Sequence, residues 1–285
     1  METETILLKA NAKVNLTLDV KFKRPDGYHE LEGIMQEISL ADEVRIKKCA
    51  GLRVSFDTPV PENNTCRRAA ELFLGDSGFG AEIEVRKLIP SEAGLGGASA
   101  DAAAVLRGLN RLYENTPLRR TEEELFDMGL KVGADVPFCL MGGCAVARGV
   151  GERLTKIGGL EMPLLIVRGP RGVSTGKLFS SLGVGAEERS RLPEGNLKNA
   201  LKAIEKKDAA KLASHLANAL APAACELAPE IGEYVERMKT LGALGASMTG
   251  SGAAVFGIFE SVKAAREALE RFGECDFKAV CGTMK

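Results

Sequence analysis

Residues 90–104 read Pro-Ser-Glu-Ala-Gly-Leu-Gly-Gly-Ala-Ser-Ala-Asp-Ala-Ala-Ala, so Gly94, Gly96 and Gly97 stand at the mouth of a stretch of strong helix formers. Glycine lets the backbone bend through positive φ and come close to a ligand, and the unpaired N–H groups and positive dipole end of the following helix attract an anion. Alanine packing accounts for the helix but not for the glycines before it, and the segment reads as a phosphate cradle. Spacing excludes two other phosphate loops. Gly172-Val173-Ser174-Thr175-Gly176-Lys177-Leu178 is one residue short of a Walker loop and ends in leucine, and Gly94-Leu95-Gly96-Gly97-Ala98-Ser99 carries serine where a dinucleotide fingerprint wants a small residue, ideally glycine. His-Arg-Asp and Asp-Phe-Gly signatures of protein kinases are absent.

Phosphoryl transfer to an alcohol needs charge neutralisation, a positioned hydroxyl and a destination for its proton. Asp135 lies in Gly133-Ala134-Asp135-Val136-Pro137-Phe138, a turn whose apolar neighbours could hold a carboxylate partly dry. The residues alone leave a general base and an ordinary surface aspartate both open. Lys13 is embedded in the apolar residues 12–18, and strand alternation puts Lys13, Asn15 and Thr17 on one face, with a solvated strand face as the alternative. Tyr28 and His29 form an aromatic pair in a loop after the turn signal Pro25-Asp26-Gly27. Phe179, after Val173-Ser174-Thr175, reads equally well as a core residue.

The pattern Pro-x-x-x-Gly-Leu-Gly-Gly-x-Ser with an alanine-rich helix behind it resembles the ATP-binding motif of the GHMP small-molecule kinases. Other segments extend the resemblance: Lys13-Val14-Asn15-Leu16, Arg24-Pro25-Asp26-Gly27-Tyr28-His29-Glu30-Leu31, the Asp135 segment leading into Gly142-Gly143, and Met248-Thr249-Gly250-Ser251-Gly252. It runs from Lys13 to about Phe259. Ala98 and Ala100 stand where relatives often carry glycine or serine, while Ser99 keeps the loop's hydroxyl.

The resemblance implies a two-domain α+β fold with the active site in the cleft between the domains, an N-terminal ATP-binding and catalytic domain over residues 1–158 and a C-terminal kinase domain over 159–285. It implies an ATP-dependent kinase acting on a hydroxyl of a cytidine diphosphate-linked sugar alcohol, a methylerythritol derivative on a route to isoprenoid precursors. A related kinase for mevalonate, phosphomevalonate or homoserine is the alternative. Carried over position by position, ATP meets Pro90, Gly94, Leu95, Gly96, Gly97, Ala98, Ser99 and Ala100, and Asp135 is the base with Lys13 beside it. Substrate meets Asn15, Asp135, Gly250, Ser251 and Gly252, while Tyr28, His29 and Phe179 hold the cytosine. Of Tyr28 and His29, one ring stacks on the base and the other supplies polar contacts. Mg²⁺ bridges ATP phosphates in this chemistry, and because it leans on phosphates and water, no protein ligand follows from the sequence.

A chain of 285 residues can bury a real core, and a formal net charge of −1 argues against broad nucleic-acid binding. No run of about 18 apolar residues exists, and Met1-Glu2-Thr3-Glu4-Thr5 lacks a signal peptide's basic and apolar regions, so a cytoplasmic monomer or homodimer away from membranes is expected. The 7 cysteines lack Cys-x-x-Cys pairs and are expected to be reduced and mostly packed. Periodicity predicts strands over 6–20, 81–89, 144–150, 163–167, 245–248, 253–259 and 276–281. Helices are predicted over 65–73, behind the phosphate loop, over 122–132 and 262–272, with several short ones between 196 and 241 interrupted by Pro222 and Pro229. Residues 42–56 read as a hairpin bent at Ala50-Gly51, and the pattern changes character near Gly158-Gly159.

Overall fold

The computed structural model describes residues 5–183 and 190–285. In chain order its elements are β1 (Thr5–Lys23), β2 (His29–Lys48), β3 (Leu52–Phe56), α1 (Thr65–Leu74), β4 (Ala81–Arg86), α2 (Gly97–Leu112), α3 (Glu122–Val132), α4 (Val136–Met141), β5 (Cys144–Gly149), β6 (Arg153–Ile157) and β7 (Pro163–Arg168). They continue as α5 (Thr175–Ser181), α6 (Asn196–Glu205), α7 (Ala209–Ala213), β8 (Ala217–Asn218), α8 (Ala221–Leu227), α9 (Glu230–Thr240), β9 (Gly245–Met248), β10 (Val255–Ile258), α10 (Val262–Arg271) and β11 (Phe277–Gly282). The chain forms two compact units: one from Met1–Ala12, Leu40–Ser91 and Gly96–Met141, the other from Lys13–Ser39, Glu92–Leu95 and Gly142–Lys285.

In the first unit β4 is the central strand, antiparallel to the end of β2 (Glu43 opposite Arg86) and parallel to β3 (Leu52 opposite Ala81). The expected 42–56 hairpin is therefore corrected, since β2 and β3 flank β4 instead of pairing with each other. Burial explains the order. β4 turns Ala81, Ile83 and Val85 fully into the core, whereas no residue of β3 is buried, so the more apolar strand takes the centre. Alternation and a glycine turn report a reversal of the chain without saying which strand lies next to which. The helices carry their own start signals: Asn64 caps α1 by accepting from the Arg67 N–H, and Thr121 with Glu124 forms a capping box before α3. α2 presents Val105, Leu106, Leu109 and Leu112 to the core, as its apolar spacing predicts.

In the second unit β11, β7, β10 and β9 form an antiparallel sheet, with Val255 opposite both Val167 and Met248. Its core joins Leu165, Val167, Val255, Phe259 and Phe272 to Leu18 and Val20 from β1. The start of β2 pairs with β5 (Ile34 opposite Val146), β5 with β6, and β1 runs parallel to β8, Leu18 facing Asn218. Pro222 falls in the first turn of α8 and Pro229 caps α9, the positions where a missing N–H costs nothing. None of the seven cysteines is in a disulfide, and burial pushes the Cys144 thiol up to about 12. Among the described residues no helix is long and apolar enough to cross a membrane.

Candidate active site

The phosphate loop follows β4 and ends at the N-cap of α2, Gly96, whose φ is 72°. No side chain caps this helix and its first turn holds no acidic residue, so the first N–H groups, which have no intrahelical acceptor, are available to a ligand. Within the first unit the Thr65 hydroxyl donates to the Ala98 carbonyl at 2.7 Å, which ties the start of α1 to the start of α2. A Cβ on Gly133 would lie 3.9 Å from Ser99 Oγ, so the loop's hydroxyl is a neighbour of the turn that carries Asp135. Asp135 is half-buried and immediately precedes α4, its carbonyl accepting from the Cys139 N–H at 3.1 Å. The sequence reading did not include α4. Pro90, Gly96, Gly97, Ala98, Ser99, Ala100 and Asp135 all belong to this unit.

Beneath the loop in the same unit lies a charged cluster that sequence reasoning did not find. Lys87 Nζ bonds Asp42 Oδ2 and, at 2.5 Å, Asp101 Oδ2; Asp42 Oδ1 accepts the Leu88 and Ile89 N–H groups at 2.5 and 2.7 Å. Asp42 is thus fully satisfied, while the buried Asp101 Oδ1 has no hydrogen-bond partner. Burial, reinforced by the neighbouring Asp42 carboxylate and opposed by Lys87, pushes the Asp101 carboxyl up to about 7. No residue spacing marks this cluster, because its members are 14 and 45 positions apart.

In the second unit Lys13 is 4 % exposed, which removes the solvated-face alternative. A buried ammonium needs partners. Lys13 Nζ donates to Asn15 Oδ1 at 2.8 Å and its backbone N–H to the Leu95 carbonyl at 2.9 Å. The Asn15 N–H bonds Thr249 Oγ1 at 3.0 Å, and Thr249 Oγ1 donates to the Gly94 carbonyl at 3.3 Å. One buried threonine therefore joins β1, the phosphate loop and the Gly250-Ser251-Gly252 loop. Ser251 Oγ lies 2.7 Å from Thr175 Oγ1, at the start of α5.

Also in this unit, the His29 ring stacks on Phe179 with centroids 5.0 Å apart and planes at 29°. Tyr28 stands open at 65 % exposure, and His29 is the first residue of β2, not a loop residue. Burial, helped by the positive charges of Lys23 and Arg191, lowers the His29 pKa, so the ring is neutral at neutral pH and can both donate and accept. A cavity of about 470 Å³ runs along the polar face of β1 past Thr17, Asp19 and Lys21 to Asn196 and Lys198. Among the described residues no group of three or more His, Cys, Asp or Glu could hold a metal ion.

This chain belongs to the GHMP kinase family and is a phosphotransferase. The family's N-terminal domain model matches residues 64–143 and its C-terminal model residues 200–275. Among curated proteins it is similar to the 4-diphosphocytidyl-2-C-methyl-D-erythritol kinase of Acetivibrio thermocellus, at 45% identity over 94% of each chain. Among solved structures, a 4-(cytidine 5'-diphospho)-2C-methyl-D-erythritol kinase aligns with TM-score 0.83 and 35% identity over 98% of this chain and 100% of the other. A homoserine kinase from Cytophaga hutchinsonii aligns with TM-score 0.74 at 20% identity over 100% and 96%, a likeness of fold alone.

Proposed function

We propose that this protein transfers the γ-phosphoryl group of ATP to a hydroxyl of 4-diphosphocytidyl-2-C-methyl-D-erythritol, in a cytosolic route to isoprenoid precursors. The observation that carries this reading is the 45% identity to a kinase of that name, sustained over 94% of both chains. ATP phosphates lie against the loop of Pro90, Gly94, Leu95, Gly96, Gly97, Ala98, Ser99 and Ala100, held by N–H groups at the start of α2. The acceptor hydroxyl oxygen bonds the γ-phosphorus as the bond to the β–γ bridging oxygen breaks. ADP leaves, and the hydroxyl proton passes to the Asp135 carboxylate. Lys13 opposes the negative charge that gathers on the reacting oxygens, and Asn15, Gly250, Ser251 and Gly252 orient the alcohol. Tyr28, His29 and Phe179 hold the cytosine, one of Tyr28 and His29 stacking on the base and the other supplying polar contacts. Mg²⁺ supplies charge neutralisation across the phosphates when bound. The hard hydroxyl oxygen of Ser99, in the phosphate loop, fits an ion held mostly by phosphate and water, and the Asp135 carboxylate stays available for the proton. The two family halves divide at 158/159, and the working form is a monomer or homodimer.

Coupled ADP release with the cytidine diphosphate substrate, mevalonate and homoserine tests the assignment. Turnover is expected with the first alone, and equal turnover of mevalonate or homoserine overturns it. Asp135→Asn is expected to lower kcat by about 10²–10⁴ with both KM values within a few-fold, because the base acts in the transition state. A near-normal kcat removes Asp135 from that role.

A further inference from the structure

The Asn218 carboxamide makes three hydrogen bonds within the second unit, and the mechanism leaves it without a role. Asn218 is buried in β8, a two-residue strand beside β1. Its Nδ2 donates to the carbonyls of Met248 and Gly250, at 3.0 and 2.9 Å, and its Oδ1 accepts from the Leu220 N–H at 2.9 Å. Met248 and Gly250 are the residues on either side of Thr249. One side chain therefore grips both flanks of the residue that binds the Asn15 N–H and the Gly94 carbonyl.

Gly250 shows what that grip controls. It has φ 56°, and a Cβ there would lie 2.7 Å from the Gly94 carbonyl oxygen and 3.2 Å from Lys13 Nζ. Its backbone is thus packed directly on the phosphate loop and on the lysine ammonium, and any rotation of this peptide moves it against both. The Gly250-Ser251 peptide is not among the cis bonds, and in a trans peptide C=O and N–H point in opposite directions. Anchoring the Gly250 carbonyl on Asn218 therefore turns the Ser251 N–H away from Asn218. Ser251 itself is partly exposed.

We propose that Asn218 is a positioning residue for phosphoryl transfer: through the Gly250 peptide it fixes the Lys13 ammonium and aims the Ser251 N–H, without itself touching a reactant. The inference rests on the kinase reading above for what is being positioned. It does not depend on which alcohol is the acceptor.

The test uses Asn218→Ala, Asn218→Asp and Asn218→Ser in the full chain. Asn218→Asp keeps the acceptor for the Leu220 N–H but sets a carboxylate oxygen against two carbonyls, and Asn218→Ser keeps one donor with less loss of packing. A displaced reacting group can cost on the order of 10² in rate. The expected result is a kcat lower by about 10- to 100-fold in Asn218→Ala and Asn218→Asp, with the KM for ATP within about two-fold and Asn218→Ser intermediate. As pH falls, Asn218→Asp should regain kcat relative to Asn218→Ala, because the protonated acid has an O–H to donate. Wild-type kcat in a folded Asn218→Ala or Asn218→Ser protein overturns the proposal, as does a rise in both KM values equal to the loss of kcat. A second readout separates this proposal from the substrate assignment: the Lys13 side-chain resonance of ¹³C-lysine protein, identified by its loss in Lys13→Met. A shift of that resonance in Asn218→Ala or Asn218→Ser supports the positioning role even where no tested alcohol is phosphorylated, and an unmoved resonance overturns it.

Discussion

Asp101 is the residue whose chemistry most exceeds its appearance in the chain. It stands in an alanine run behind the phosphate loop and has the look of a helix-surface carboxylate, yet it is 2 % exposed, with one oxygen on Lys87 and the other unpartnered. Its carboxyl is raised from 3.8 to about 7, with burial as the largest cause. Between those values the folded protein holds a proton that the unfolded chain has released, so stability falls as pH rises. This contribution is fully present below the unfolded value and is lost on passing the folded one. Asp101→Asn, neutral throughout, removes that slope while leaving the Lys87–Asp42 pair in place. The variant's Tm relative to wild type should therefore rise between about pH 5 and about pH 8, as measured by thermal melts in matched buffers. A difference that stays constant with pH would mean that the Asp101 carboxyl ionises in the folded protein at the same pH as in the unfolded chain. Lys13 and Asp135 were visible in the sequence as locally anomalous residues, a lysine in an apolar strand and a carboxylate in a Gly-Pro-flanked turn, while the roles given to them come from the family resemblance. Asp42, Lys87 and Asp101 were not, since each is ordinary until the fold gathers them.

Among the elements, the phosphate loop couples local backbone demands to the site most directly. Gly94 has φ 71°, and a Cβ there would lie 2.2 Å from the Thr249 carbonyl oxygen, a backbone atom that cannot swing aside. A non-glycine residue in this region costs roughly 1–2 kcal/mol from backbone sterics alone, before the overlap is counted. Gly94→Ala should therefore push the loop off Thr249, raising the KM for ATP at least about ten-fold and lowering kcat, while near-UV circular dichroism keeps its native form. A wild-type KM would show that the two loops need not touch. Elements with strong periodicity or caps, such as α2, α3 and α10, were readable in the sequence at nearly their full extent. β6, β8 and α5 were not, because each is only 2–7 residues long and is held by neighbours and not by its own pattern. The 42–56 segment failed differently: its strands were found and their partner was not, since pairing depends on burial contributed by β4, some 30 residues further on.

For the whole molecule, the question is which stretch of chain makes a self-sufficient core. The sequence changes character near Gly158-Gly159, and the two family-domain matches fall on either side of that point. The compact units divide otherwise, because the second unit takes Lys13–Ser39 and Glu92–Leu95 as well as Gly142–Lys285. Leu18 and Val20 of β1 lie in the same core as Leu165, Val167, Phe259 and Phe272. Leu18 also pairs with Asn218, and its carbonyl accepts from the Ala219 N–H at 2.8 Å. A fragment of residues 159–285 lacks all of this, together with the Asn15 backbone that satisfies Thr249. Leaving a buried leucine or valine unmatched forfeits roughly 1.5–3 kcal/mol each, against a total stability of about 5–15 kcal/mol for a typical domain. The strand that would cover β8 is also missing, leaving backbone groups unpaired. The isolated fragment is thus expected to show no cooperative thermal transition and no native near-UV dichroism. A sharp, reversible melt of 159–285 alone would show that the C-terminal family domain completes its core without β1.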